Sequence, residues 1–267
     1  MKIAFWSETK ESGTTCNMSV IACMAAMKYS FRTALISGGF HDLDLELSFQ
    51  GGRELAVAEL GYYSKVNDHG FDQLIQDETG VTAEQLKKNM SCIIENKLFC
   101  LPAGKKRQAV YYPESLAPLM GQIVSVAEQC YDLVFIDCGC RKDLFTRKIL
   151  READITVINM QQNSESFSQF FRKHYDIRGR VFFLIGNYFA DDVYTKDSLE
   201  HIFRMGEENI GSIPYNIHLA RAYLSGRTEQ YLKRSLEGEL SDRQTLFFKE
   251  ADAATFQILK QKIQYNH

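Results

Sequence analysis

Seven short runs along the chain are apolar at nearly every position: KIAFW (2–6), TALIS (33–37), KLFCLP (97–102), YDLVFID (131–137), DITVINM (154–160), RVFFLIG (180–186) and GSIP (211–214). A strand with one solvated face alternates apolar and polar residues, so uniform runs predict strands buried on both faces. Between them lie stretches with apolar residues at helical spacing, among them TCNMSVIACMAAMKYS (15–30), SLAPLMGQIVSVAEQC (115–130) and FTRKILREA (145–153). This alternation implies right-handed crossovers and an α/β fold: a doubly wound, mainly parallel sheet of about seven or eight strands with helices on both faces. Such sheets take ligands at the carboxyl ends of their strands. The last segment, FFKEADAATFQILKQKIQYNH, predicts a helix over about 248–264 with Phe256, Leu259 and Ile263 on its apolar stripe.

Composition narrows the class. With 267 residues, 45% of them hydrophobic, and no low-complexity linker, the chain is expected to form one domain over 1–267. Its 31 Lys+Arg against 34 Asp+Glu give a formal charge of -3, which argues against a dedicated nucleic-acid binder held by counterion release. Two short basic runs, Lys105-Lys106-Arg107 and Arg172-Lys173-His174, are the places where DNA or acidic lipid would touch; runs this short are usually solvated turns or helix ends. The seven cysteines are scattered and form no CxxC pair, the pattern of reduced cytosolic thiols. No window approaches the ~18 apolar residues of a membrane span and no leader-like run opens the chain, so a cytoplasmic protein is expected.

The turn SETKESGTTCNM (7–18) joins the first strand to the first helix. A phosphate-binding loop needs a strand, a glycine bend with converging N–H groups, a helix N-terminus, a lysine, and a Ser/Thr for magnesium. Gly13 supplies the bend and Thr14-Thr15 open the helix, but no lysine stands there. Taken alone, a Ser/Thr at this place is an N-cap.

The neighbouring motifs add to it. IAFWSETKESGTT resembles the deviant phosphate loop, KGGxGK[ST] after a strand, of the ParA/MinD family of partition and positioning ATPases. YDLVFIDCG is similar to the strand that brings that family's magnesium-shell acid, here Asp137; ADITVINMQQNSES is similar to the next strand; FFLIGNY places Asn187 on the adenine-contacting asparagine; SIPYNIHLARAYLSGR matches the segment closing the base pocket. KLFCLPAG and the general layout look most like the TadZ/CpaE branch of pilus and secretion-system localisation. The resemblance implies ATP or ADP with Mg2+. The phosphates would lie over Thr9, Lys10, Glu11, Ser12, Gly13, Thr14, Thr15 and Cys16, the metal at Thr15 and Asp137, and the base near Asn187, Pro214 and Tyr215. It also implies a homodimer, protein partners in a larger assembly, and peripheral contact with the inner face of the membrane.

The departures bear on turnover. Thr9 stands where the family has its signature lysine, Thr14 where a lysine grips the phosphates, and Ser37-Gly38-Gly39 where an acidic DxD orients water. Asp42 and Asp44 follow and could substitute beside Asp137 if the loop folds back; otherwise they are turn acids. Phosphoryl transfer rests on positioning and electrostatics, so these losses should cost several powers of ten in rate. Cys138-x-Cys140 differs in spacing from the cluster ligands of the related nitrogenase iron protein, and plain thiols are expected. The C-terminal tyrosine cluster of bacterial tyrosine kinases is reduced to Tyr265. The C-terminal stripe resembles the membrane helix of MinD, though packing on the sheet is the simpler expectation. Three functions stand: a nucleotide-switched localisation dimer, a nucleotide-free adaptor, and an enzyme borrowing the fold.

Overall fold

The computed structural model describes residues 1–38, 44–50, 70–75, 80–102, 117–173, 175–238 and 242–265. The expected runs become β1 (Lys2–Trp6), β2 (Thr33–Ser37), β4 (Leu98–Leu101), β5 (Leu133–Gly139), β6 (Ile155–Met160), β7 (Arg180–Tyr188) and β8 (Ile210–Pro214). An eighth, β3 (Ser91–Ile94), pairs antiparallel with β4 at the sheet edge. Four residues long and half-exposed, it lacks the uniform apolar run that marks the others. The order is β3-β4-β2-β5-β1-β6-β7-β8, and every pair besides β3 with β4 is parallel. β1 therefore lies between β5 and β6, and β1, β2 and β5 end at the same edge of the sheet.

Alternate side chains of each strand feed two cores. On one face Ile3, Phe5, Leu35, Phe135 and Val157 meet α1 (Thr14–Lys28) and α11 (Asp242–Tyr265). On the other, Ala4, Trp6, Ile36, Ile136 and Ile158 meet α5 (Ala117–Cys130), α6 (Leu144–Glu152), α7 (Ser164–Phe171) and α8 (Lys196–Phe203). Helix α1 is buried from Met18 to Ala26, which fits its Ala, Ser and Cys content: small residues let the helix sit close to the strands on several sides.

The remaining helices are α2 (Asp44–Leu47), α3 (Phe71–Ile75), α4 (Ala83–Asn89), α9 (Ile217–Leu224) and α10 (Thr228–Glu237). Helix α11 begins at Asp242, before the apolar run that predicted a start near 248, because its first turn is polar and carries no stripe. It packs on α1 and β8 with Phe247, Ala251, Ala254, Ile258 and Leu259 buried, while Phe256 faces outward and Asp252 holds Lys28 at 2.6 Å. Among the described residues no helix is long and apolar enough to cross a membrane.

Candidate functional site

Where β1 ends, its pairing with β5 shifts register between Phe5 and Trp6, and the Ser7 N–H donates to the Gly139 carbonyl at 2.8 Å. The chain then closes a turn on itself. The hydroxyls of Ser7 and Ser12 both donate to the Thr9 carbonyl, at 2.7 and 3.1 Å, and the Thr9 and Ser12 hydroxyls lie 3.1 Å apart. Glu11 and Gly13 take left-handed backbone angles, φ 62 and 69. Gly13 suits this position, since it escapes the Cβ penalty and brings the backbone straight into α1.

Helix α1 starts without a side-chain cap and without an acid in its first turn. By contrast α4, α6, α7, α8 and α9 are capped by Thr82, Asp143, Asn163, Thr195 and Asn216. A helix leaves its first N–H groups without internal partners, so the α1 start presents donors and the positive end of its dipole. Beneath it the Thr15 hydroxyl donates to Asp137 Oδ2 at 2.6 Å, while Asp137 Oδ1 accepts from the Gly139 N–H at 3.0 Å. Asp137 is buried, held at the end of β5 in register with Ser37 and Phe5. The structure thus brings Thr15 and Asp137 together.

The other loop positions differ in aspect. Thr14 is buried at 7% exposure and Lys10 and Glu11 face solvent; burial pushes the Cys16 thiol up to about 12, so it stays protonated. At the end of β2, where acids would stand in the resembling family, the Gly38 N–H donates to the Asp137 carbonyl at 2.9 Å. Arg141 Nη2 donates to the same carbonyl at 3.0 Å and lies 3.1 Å from where a Cβ on Gly38 would be. A guanidinium therefore fills the space beside Gly38. Gly39 and Asp42 lie outside the described residues, as do Lys105, Lys106, Arg107 and His174. Asp44 opens α2, which is anchored through Ser48 to Ser19, a turn beyond Thr15, at 3.2 Å.

Asn187 sits exposed and left-handed (φ 48) in the irregularity between Ile185 and Tyr188, beside β8, where Tyr188 pairs with Pro214 and the Tyr215 N–H donates to the Tyr188 carbonyl at 2.9 Å. Asn187, Pro214 and Tyr215 thus gather at one strand end. Phe189 stacks on Tyr215 with ring centroids 5.3 Å apart, and the Gln162 amide clamps the Phe189 backbone by two 2.8 Å hydrogen bonds.

The largest feature that sequence reasoning missed is Glu8. Its side chain is 7% exposed and accepts from Lys142 at 2.8 Å, from Lys173 and from the Tyr175 hydroxyl. Burial alone would raise this carboxyl, but the bonds from Lys142, Lys173 and Tyr175 outweigh it and hold it below the ordinary value. In sequence Glu8 is one acid in a polar turn; only the folded chain brings its cations to it. Asn17 is a second such residue: its amide donates to Asn159 at 3.0 Å in the buried layer under the loop. Cys138 is buried, its thiol pushed up to about 12 by burial, while Cys140 is half-buried. Among the described residues no three His, Cys, Asp or Glu side chains gather as a metal site.

No family model and no curated protein matches the sequence. Solved structures do resemble it in shape. A ParA family ATPase from Chlorobium tepidum superposes with a TM-score of 0.66 at 14% identity, covering 96% of each chain. Its fold is that of the ParA and MinD ATPases. A putative plasmid partition protein from Borrelia burgdorferi bound to AMPPNP shares the ParA/MinD fold with a TM-score of 0.64 at 15% identity, over 97% of this chain and 98% of the other. MinD from Pyrococcus horikoshii, complexed with Mg-ADP, gives 0.62 at 12% identity over 98% of each chain. In the ParA/MinD fold of this chain, the uncapped start of α1 and Asp137 lie together at the carboxyl end of the central strands.

Proposed function

We propose that the chain, 1–267 as one unit, is a ParA/MinD-type adenine-nucleotide-binding protein. It acts as a dimerising localisation or assembly factor, of the TadZ/CpaE kind, with very slow or no ATP hydrolysis. The observation that carries this reading is the 2.6 Å bond from Thr15 to Asp137 beneath an uncapped helix start. The N–H groups from Gly13 to Cys16 hold the phosphates, and Asn187, Pro214 and Tyr215 take the base. A magnesium ion fits the pair, because a hydroxyl and a carboxylate are hard oxygen ligands already facing each other; bound there, it would neutralise phosphate charge. Hydrolysis is slow because Thr9 and Thr14 carry no cation and Arg141 fills the place beside Gly38.

Titration calorimetry with ATP, ADP and magnesium tests the reading. Asn187→Ala should weaken adenine nucleotides and spare pyrophosphate; equal loss for both would remove the base from this place. Thr14→Lys should tighten triphosphate more than it raises phosphate release, since the added lysine meets the ground state while water stays unpositioned. Brisk wild-type turnover abolished by Asp42→Ala or Asp44→Ala would overturn the slow-hydrolysis reading.

A nucleotide-independent adaptor is the second reading, favoured by the closure of the loop on its own Thr9 carbonyl and by the clamp on Glu8. Calorimetry without heat for any nucleotide, from a protein that melts cooperatively, would select it.

A further inference from the structure

Helix α6 is amphipathic in an unusual sense. Phe145, Thr146, Ile149 and Leu150 are buried, while Leu144, Arg147, Lys148 and Arg151 lie exposed at i, i+3, i+4 and i+7, the spacing of one helix face. This face borders a groove of ≈ 570 Å³ that is also lined by Lys142, Tyr175 and the buried side chains of Trp6 and Leu150. Leu144 is 57% exposed and is the one large apolar side chain of α6 left exposed. Among the described residues neither Arg147 nor Lys148 has an ion-pair partner, and Arg151 meets Asp176 only at 4.0 Å.

We infer that this groove docks an acidic, amphipathic helical segment of a partner protein, its carboxylates on Arg147, Lys148 and Lys142 and its apolar residues on Leu144 and the Trp6–Tyr175 lining. Charge complementarity selects the occupant: a cationic rim on a chain of net charge -3, set around an apolar, aromatic lining, fits a segment with both acids and apolar anchors. A nucleic-acid track is disfavoured. The cations of α6 span about one helical turn, with Lys142 alone beyond them, and Asp176 also lines the groove. A lipid surface would need several projecting apolar residues, and α6 offers Leu144 alone.

Lys142 and Tyr175 belong both to this groove and to the grip on Glu8. Glu8 is thus an internal carboxylate already holding one of the cations that the partner would use, and the docked segment competes with it. The inference does not depend on nucleotide binding.

Trp6 is the only tryptophan and lines the groove from a buried position, 1% exposed, so its fluorescence reports changes in the groove's surroundings. The probe is a synthetic helix of about 15 residues bearing a Glu and Leu stripe, titrated into the full chain without nucleotide. Saturable Trp6 change, weakening with added salt, is expected, with none for the same helix carrying Lys in place of Glu. The double reversal Arg147→Glu with Lys148→Glu should weaken binding roughly tenfold or more, and Leu144→Ser should weaken it without steepening the salt response. Both sets of changes lie on an exposed face, and an unchanged melting temperature confirms folding. Glu8→Gln, by releasing Lys142, should tighten the peptide. Wild-type affinity in the double reversal, or tighter binding of oligothymidylate or of phosphatidylglycerol vesicles than of the peptide, would overturn the proposal.

Discussion

A carboxylate as enclosed as that of Glu8 persists in the folded chain because two ammonium groups and a phenol surround it. Its partners are half-exposed, Lys142 at 54% and Lys173 at 53%, so solvent screens part of the attraction. Glu8→Gln should lower unfolding stability by about 1–2 kcal/mol at neutral pH, measured by urea denaturation. The pH dependence has a definite sign. The folded carboxyl lies below its ordinary value of 4.5, so its contribution is complete above about 4.5 and is lost as pH falls through the depressed value. Wild type and Glu8→Gln should therefore converge in acid. Tyr175 is shifted the opposite way, raised above 10 by burial and by its bond to Glu8. Its contribution is present below about pH 10 and fades as pH rises through the raised value. The pairing of Thr15 with Asp137 was foreshadowed by the family resemblance of two segments, a hydroxyl opening the first helix and an acid closing an apolar strand, which the fold brings within 2.6 Å. Glu8 was not, since its cations come from distant segments, and the place of Arg141 beside Gly38 exists only once β2 and β5 pair.

The strands were the most legible elements, because burial on both faces leaves uniform apolar runs, whereas half-exposed β3 and the polar first turn of α11 leave no such mark. The seat of α11 on β8 depends on a close approach at Gly211. A Cβ there would lie 2.8 Å from Phe182 Cζ and 3.0 Å from the Ala254 Cβ. Gly211→Val should destabilise by about 1–3 kcal/mol through overpacking, seen as a lower melting temperature. Gly186 is a similar contact on the site side, where a Cβ would meet the Asn17 amide nitrogen at 2.6 Å and the Ser12 carbonyl at 3.1 Å. Gly186→Ala should displace the loop and weaken nucleotide binding more than it weakens the fold; an equal loss in both would detach β7 from the site.

At the scale of the molecule, a ligand that binds only the folded chain adds stability by mass action, about 2.7 kcal/mol at a hundredfold excess over Kd. ATP with magnesium should raise the melting temperature of the wild type and do so less for Thr15→Ala. An unchanged melting temperature across all nucleotides would favour the adaptor reading. The general architecture could be read from the order of strands and helices, but the sheet order could not, because pairing is decided between segments far apart in the chain.

The central place of β1 has a consequence for synthesis. Lys2–Trp6 leaves the ribosome well before the strands that flank it, Leu133–Gly139 and Ile155–Met160. Synthesis must pass residue 133 before this apolar strand has either flank covered, and until then it is a candidate for chaperone capture or for misassembly with other nascent chains. Stalled nascent chains ending before residue 133 should stay open to protease, and protection of the first strand should arise only once the segment through residue 160 has cleared the exit tunnel.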